Sequence, residues 1–344
     1  MRTATYLSAM AAAAAGMTLV AVPASAAPQV AVLSYRTVTL GTLGGASSVP
    51  LGINDRGAVV GWSRAAGGAL HPFLWRHGRM TDLGTLDQAD GGWGIAADVN
   101  RYGTVVGQSQ RAGQTRAVRW QHGKITDLGT LGGLSSFATA INDHGAIVGS
   151  STTTDGSLHA FIWRDGWMTD LGVPGGGDAF AEDVNNRGQV VGFAMPTDTP
   201  AIAYLWQRGK VTVLPATRYG GQARAINDSG VIAGFVSGPE ALLAVRWWHG
   251  RSVPLGTLPG GDANAARDIN DRGVILGAGN MQPQHLDEHA FLWRRGILRD
   301  LSTVGVPEGV SALNNRDELI GTVPTPGGDG QVAALFVPSD VHGG

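Results

Sequence analysis

Short apolar runs separated by turn residues recur along almost the whole chain. In most copies the second run of each group is apolar without alternation, as at Ile147 and Val148, which is typical of a strand covered on both faces. The turn residues between runs, such as Asn142 and Gly145, fit tight hairpins because Gly accepts a positive φ. We therefore predict groups of four short antiparallel strands. One complete group comprises the runs 137–141, 146–150, 159–163 and 167–171.

A repeated motif gives these groups a fixed period. Asn-x-x-Gly-x-x-x-Gly occurs seven times at spacings of 42 to 46 residues, with Asp317 in place of the first Gly in the last copy. A Trp-x-x-Gly motif follows in six of the seven units. Four strands with their connections occupy roughly 40–48 residues, which is the size of one β-propeller blade. The motif begins at Asn54, Asn100, Asn142, Asn185, Asn227, Asn270 and Asn314.

The two ends of the repeat array predict a closed ring. A lone fourth strand at 36–43 precedes the first unit, and the last unit stops after its third strand at 332–337. A ring can complete its last blade with a strand from the other terminus, whereas an open solenoid needs capped ends. We predict an all-β, seven-bladed β-propeller of about 43-residue repeats over 34–338, closed in this way. A parallel β-helix and a ring of six or eight blades are the alternatives.

The N-terminus has the features of a secretory signal peptide. Arg2 precedes a small apolar run at 7–22, and Ala24-Ser25-Ala26 forms a cleavage pattern before Pro28. We interpret 1–26 as a signal peptide, 27–33 as a short linker and 339–344 as a flexible tail; a membrane anchor is the alternative for 1–26. We expect an extracellular protein, or a periplasmic one if the host has an outer membrane.

Composition narrows the possible partners. The formal net charge is −2, from 25 Lys and Arg against 27 Asp and Glu, so we expect neither nucleic-acid binding nor membrane insertion. The chain has no cysteine, which excludes disulfides, thiolate metal sites and Cys nucleophiles. We expect a monomer without metal or cofactor, whose partner is an extracellular glycan, a cell-envelope component or a protein.

Several phrases resemble the bacterial extracellular HAF-repeat family. His-Ala-Phe stands at 159–161 and 289–291, with His-Pro-Phe at 71–73, beside Ile-Asn-Asp-x-Gly and the phrase at 127–133. The resemblance covers nearly the whole mature chain and implies an exported bacterial repeat protein without a well-established activity.

The recurring polar residues have structural interpretations. His71, His159 and His289 occupy one strand position in three blades and would be spread around a ring, so a metal cluster is disfavoured. Asp98, Asp183 and Asp268, each two residues before a motif Asn, resemble the start of a calcium loop. No glutamate closes a twelve-residue loop, and we interpret these aspartates as turn caps.

Residues that break the sevenfold pattern are the better candidates for function. The connections opposite the Asn and Trp turns are irregular, and such loops on a rigid scaffold commonly carry binding or catalysis. We predict a non-enzymatic binding protein that uses this irregular face and has no catalytic residue. The alternatives are a carbohydrate-active hydrolase or lyase using loop carboxylates, and a structural role. The candidate ligand-binding residues are Trp93, Arg218, Tyr219, Arg224, His285 and Asp287.

Overall fold

The computed structural model describes residues 33–87, 91–173, 175–283, 288–325, 327–328 and 330–340. The predicted signal peptide, residues 27–32 of the linker and residues 341–344 of the tail lie outside this part. In the described residues, 28 strands form seven four-stranded antiparallel sheets, and the one helix is the 3-10 turn Ser302–Val304. The described residues contain no candidate membrane-spanning helix.

Each sheet is one blade, and in six of the seven its strands follow in chain order from the centre outward. The first strands, which contact each other around the ring, are β2 Gly44–Ile53, β6 Gly94–Val99, β10 Gly132–Ile141, β14 Asp178–Val184, β18 Gly221–Ile226, β22 Asn264–Ile269 and β26 Val310–Leu313. The second strands are β3 Val59–Ala65, β7 Val105–Arg111, β11 Ile147–Thr153, β15 Val190–Met195, β19 Ile232–Ser237, β23 Ile275–Gly279 and β27 Leu319–Pro324.

The outer half of each blade holds the third and fourth strands. The third strands are β4 Leu70–Arg76, β8 Gln114–Gln121, β12 Leu158–Arg164, β16 Ile202–Gln207, β20 Leu242–Trp248, β24 His289–Arg294 and β28 Gln331–Asp340. The fourth strands are β5 Arg79–Asp82, β9 Lys124–Asp127, β13 Trp167–Asp170, β17 Lys210–Val213, β21 Arg251–Pro254, β25 Ile297–Asp300 and, from the N-terminus, β1 Leu33–Gly41.

Strand exchange closes the ring as predicted. The order of the seventh sheet is β1-β28-β27-β26, and β1 pairs antiparallel with β28 from Leu33 opposite Asp340 to Gly41 opposite Ala333. The sequence placed this strand at 36–43, a few residues later than it lies. The predicted seven-bladed propeller is confirmed, and no blade edge at the junction of the termini is left without its fourth strand.

Packing between blades explains the uninterrupted apolar second strands. Val148 of blade 3 and Val190 of blade 4 are fully buried in one cluster, because each second strand has a neighbouring blade on either side. The repeated Trp residues are buried between blades as well, and Arg119 of blade 2 stacks 5.1 Å from the Trp163 ring of blade 3.

Every first strand contains a β-bulge, and the second motif Gly makes room for it. The pairing register shifts between the fourth and second residues before the motif Asn in all seven blades. A Cβ added at Gly192 would lie 1.9 Å from the Phe180 carbonyl oxygen. The backbone of the first strand is thus the nearest neighbour of Gly192.

Candidate functional site

The ring has two faces of different construction. The hairpins between first and second strands and between third and fourth strands lie on one side, which we call the turn face. The connections between second and third strands and between blades lie on the other side, which we call the loop face. The first strands line a central channel that joins the two faces.

A closed ring of buried amides surrounds the channel at the turn face. The Asn227 Oδ1 accepts the N–H groups of Ser229 at 3.1 Å and Val231 at 2.9 Å, and its Nδ2 donates to the Asn270 carbonyl at 3.1 Å. All seven motif Asn residues repeat this arrangement, and Asn314 closes the circle on Asn54. The repeated Asn therefore caps its own turn and ties its blade to the next one.

The residue after each Asn forms a second ring, which is largely acidic. This collar surrounds a cavity of about 190 Å³ at the channel mouth. Its carboxylates accept backbone N–H groups from the preceding turn, as Asp228 does from Asn186 at 2.7 Å. Acidic residues from several blades thus converge here, but they hold the ring together. The collar consists of Asp55, Arg101, Asp143, Asn186, Asp228, Asp271 and Asn315.

Three further carboxylates connect blades in alternation inside the channel wall. Asp98 accepts the Ile141 N–H of the next blade at 2.9 Å, and Asp183 and Asp268 make the equivalent bonds from blades 4 and 6. Burial raises the pKa of Asp183 to about 7 and that of Asp268 to about 6, and it raises the pKa of Asp98 as well. They were interpreted as turn caps, yet their second carboxylate oxygen bridges to the following blade.

The bulged residues form a mixed wall toward the loop face. A cavity of about 390 Å³ is lined there by apolar Leu51, Ile95 and Phe137 together with polar Thr139 and Glu182. These side chains come from the first strands of blades 1 to 4. The wall offers an aromatic ring and hydrogen-bonding groups to one ligand, which is the usual composition of a binding site for a small polar molecule.

An ion pair extends this wall into blade 5. Arg224 Nη1 lies 3.2 Å from Glu182 Oε2, and the guanidinium lies 5.4 Å from the Phe193 ring and 5.7 Å from the Phe235 ring. Burial raises the pKa of Glu182, and the Arg224 charge opposes this shift. The Oε1 atom of Gln222 on the same strand is buried and has no hydrogen-bond partner.

A larger cleft opens between blades 6 and 7. Its volume is about 910 Å³, and its lining includes Arg267, Glu288 and Glu308. Arg267 pairs with Glu288 and donates to the Val310 carbonyl. Two carboxylates and a guanidinium thus face one cavity on the loop face.

The structure separates the candidate residues that the sequence grouped. Arg218 and Tyr219 lie together in the connection before β18, with the guanidinium 4.8 Å from the ring centroid. Arg224 lies on the channel wall and pairs with Glu182, and Trp93 is half-buried before β6 in blade 2. Arg218 and Arg224 therefore lie on different parts of blade 5. His285 and Asp287 lie outside the described residues.

Two of the three histidines of the HAF phrases, His71 and His159, hydrogen-bond an aspartate of the same blade, whereas His289 Nδ1 lies 3.6 Å from Asp300 Oδ2 and has no hydrogen-bond partner among the described residues. His71 Nδ1 lies 2.6 Å from Asp82 Oδ2, and His159 Nδ1 lies 2.6 Å from Asp170 Oδ2. The other oxygen of each Asp accepts the N–H two residues later, at Gly84 and Gly172. Within the described residues no three His, Cys, Asp or Glu side chains are arranged to hold a metal ion.

The sequence analysis missed Phe137, Thr139 and Glu182. For Thr139 and Glu182 a signal was present, because the third residue before the motif Asn changes class from copy to copy while its neighbours repeat; Phe137 lies two residues before Thr139 and is not at this position. The seven residues at this position are Leu51, Ala97, Thr139, Glu182, Arg224, Arg267 and Ser311.

Charge is divided unevenly between the faces. The hairpin turns of the turn face carry 14 of the 25 Lys and Arg residues but only 7 of the 27 Asp and Glu residues. The other described residues include 10 basic and 17 acidic ones, so the loop face and strands in this part of the chain carry the negative excess. The net charge of the whole chain conceals this division.

Comparisons with known proteins support the fold. No protein-family model and no curated protein matches the chain. A puromycin-hydrolysing peptidase from Mycobacterium tuberculosis superposes with a TM-score of 0.55 at 13% identity, covering 90% of this chain and 51% of that one. TolB from Acinetobacter baumannii gives 0.44 at 12% identity, covering 64% and 54%. The gluconolactonase XC5397 from Xanthomonas campestris gives 0.40 at 13% identity, covering 89% and 90%.

The chain spans about half the length of the peptidase and of TolB. At these identities the likeness concerns the fold alone, and the chain is a seven-bladed β-propeller.

Proposed function

We propose that the protein is an exported, non-enzymatic member of the HAF-repeat family that binds a neutral extracellular glycan through the loop-face half of its channel. The supporting observation is the cavity lined by Phe137, Thr139 and Glu182. Sugar rings present apolar C–H faces and hydroxyl groups, so an aromatic side chain beside hydrogen-bonding groups suits them.

The charge of the binding side favours an uncharged ligand. Among the described residues outside the turns of the turn face, 17 are acidic and 10 are basic. A glycan carrying carboxylates or sulfates would be repelled by this excess. Glu182 is paired with Arg224, so together they present hydrogen-bonding groups without a net local charge.

The experiment is depletion of the purified mature protein, residues 27–344, by insoluble neutral polysaccharides such as cellulose, chitin and xylan, with released sugar measured in the supernatant. We expect depletion without released sugar. Phe137→Ala should lower the depleted fraction at least fivefold, because it removes the aromatic side chain from the cavity. Trp167→Ala, which truncates an exposed aromatic residue on the turn face, should not change it. Circular dichroism checks that both variants are folded.

A second candidate function is a glycan hydrolase centred on the blade 6–7 cleft. Glu288 and Glu308 both line this cleft, and glycoside hydrolysis uses two carboxylates. Sugar release that disappears in Glu288→Gln or Glu308→Gln would establish this activity and overturn the non-enzymatic proposal. If no polysaccharide depletes the protein and no sugar is released, glycan binding by the loop face is excluded for that panel.

A further inference from the structure

We propose that the turn face is a second binding surface, specific for an anionic polysaccharide, with an anion subsite between blades 3 and 4. This goes beyond binding on the loop face, and the choice of a polysaccharide rests on the proposed export. The two surfaces lie at opposite ends of the channel, so each can be tested without the other.

The first support is the exposure of the basic residues in the turns. All 14 have exposed side chains, whereas the acidic collar lies at the centre around the channel mouth. Nine of them belong to the outer turns, between third and fourth strands, and form a basic rim. The full set is Arg56, Arg76, Arg79, Arg101, Lys124, Arg164, Arg187, Arg208, Lys210, Arg251, Arg272, Arg294, Arg295 and Arg316.

The second support is that few of these charges are neutralised locally. Among the described residues, Arg101 pairs with Asp143, Arg272 with Asp317 and Arg316 with Glu318. All three arginines belong to the inner turns, and Arg101 is itself part of the collar. The rim thus keeps its positive charge, and the field of seven excess charges is concentrated on one face.

A cavity in this face gathers basic groups from three turns. It has a volume of about 300 Å³ between blades 3 and 4, and His144, Arg164 and Arg187 line it. The Arg164 side chain extends to Gly188 in blade 4. Its Nη2 would lie 2.6 Å from a Cβ added at that glycine. Asp165 also lines the cavity and is its one carboxylate. Two guanidinium groups and an imidazole suit a carboxylate, sulfate or phosphate group.

The arrangement of charge on the turn face favours the binding of a flexible anionic polymer over that of a rigid one. A chain that follows the basic rim meets successive cationic turns and avoids the central carboxylates. A stiff duplex laid across the face would pass over the collar of Asp55, Asp143, Asp228 and Asp271, which would repel its phosphates. A flexible polysaccharide with regularly spaced anions meets both conditions.

The test measures binding of residues 27–344 to immobilised polygalacturonate between 50 and 200 mM NaCl, with dextran as the uncharged probe. We expect binding to polygalacturonate that weakens steeply with salt, and none to dextran. The double variant Arg164→Ala/Arg187→Ala should weaken binding about tenfold and make the salt dependence shallower. The matched double variant Arg64→Ala/Arg111→Ala removes the same charge from exposed loop-face positions and should change binding by less than about twofold.

Three outcomes would overturn the proposal. Equal losses in the two double variants would mean that only net charge matters. Absence of salt-sensitive binding would remove the surface itself. Tighter binding of a single-stranded DNA oligonucleotide of equal charge would replace a polysaccharide by a nucleic acid as the partner class. Depletion by neutral polysaccharides tests the loop face separately, so either proposal can fail alone.

Discussion

The turn face and the loop face are made by the same 28 strands, yet they obey different constraints. On the turn face each motif Asn is held by its own turn and by the next blade, so the residue type repeats seven times. On the loop face, among the described residues, equivalent bonds recur in only some blades, as where Ser48, Ser136 and Asn264 donate to the carbonyls of Gly41, Gly129 and Gly256. The residue type can differ between blades at positions outside the hydrogen-bonded ring. Examples are the bulge in each first strand and the outer turns.

Deleting β1 tests closure of the ring by strand exchange, on which both faces depend. A chain starting at residue 42 loses the pairing with β28 and the buried Leu40. It should aggregate and melt lower by on the order of 10 °C, because an open edge is exposed and core contacts are lost. Light scattering and thermal unfolding measure this against a chain starting at residue 33. A monomer that melts like this reference chain would refute closure by strand exchange.

Breaking the amide ring at one place should have the next largest effect. Asn227→Ala removes two accepted bonds and one donated bond inside a buried site, so we expect a loss of about 2–4 kcal/mol in the free energy of unfolding. Urea denaturation gives the value. The adjacent exposed Ser229→Ala is the control and should change it by less than about 0.5 kcal/mol. Equal effects of the two substitutions would contradict the role assigned to the ring.

The inter-blade aspartates should make stability fall as the pH rises. Burial raises the folded-state pKa of Asp183 to about 7 and that of Asp268 to about 6, above their unfolded values. Their contribution to stability is thus full below about pH 4 and is lost as the pH rises through about 7. For Asp183 the loss is on the order of 2–4 kcal/mol.

Comparing the pH dependence of variants isolates this contribution. Asp183→Asn cannot ionise at this position, so the fall in unfolding free energy between pH 4 and 8 should be smaller than in the parent chain. Asp165→Asn, at an exposed turn, is the matched control. If the unfolding free energy of Asp183→Asn falls with pH as steeply as that of the parent chain, ionisation of Asp183 does not destabilise the protein.

The HAF histidine should have the smallest effect. The His159 and Asp170 side chains are 38% and 40% exposed, so we expect His159→Ala to lower the free energy of unfolding by about 0–1 kcal/mol. Chemical denaturation measures this value, with His144→Ala on the turn face as the comparison. A loss above about 3 kcal/mol would mean that the phrase has a larger role than holding one turn.

The fold could be predicted from the sequence because each repeated residue meets a structural requirement of the blade. Asn142 and Gly145 predict the turn, and the incomplete first and last units predict closure, whereas the bulge beside Gly149 was not predicted. The role of Asp98 could not be read, because its second hydrogen bond is to Ile141 in another blade. The grouping of Arg224 with Glu182 also depends on how neighbouring blades meet, and their separation of 42 residues gives no sign of it.

The measurement that tests the two-faced account most directly is a crossed binding experiment. The parent chain, Phe137→Ala and Arg164→Ala/Arg187→Ala are each measured against the neutral polysaccharide that best depletes the parent and against polygalacturonate at 50 mM NaCl. The account predicts that Phe137→Ala loses the neutral ligand alone and that the arginine double variant loses the acidic ligand alone. Loss of both ligands in either folded variant would show that the two faces do not act as separate binding surfaces.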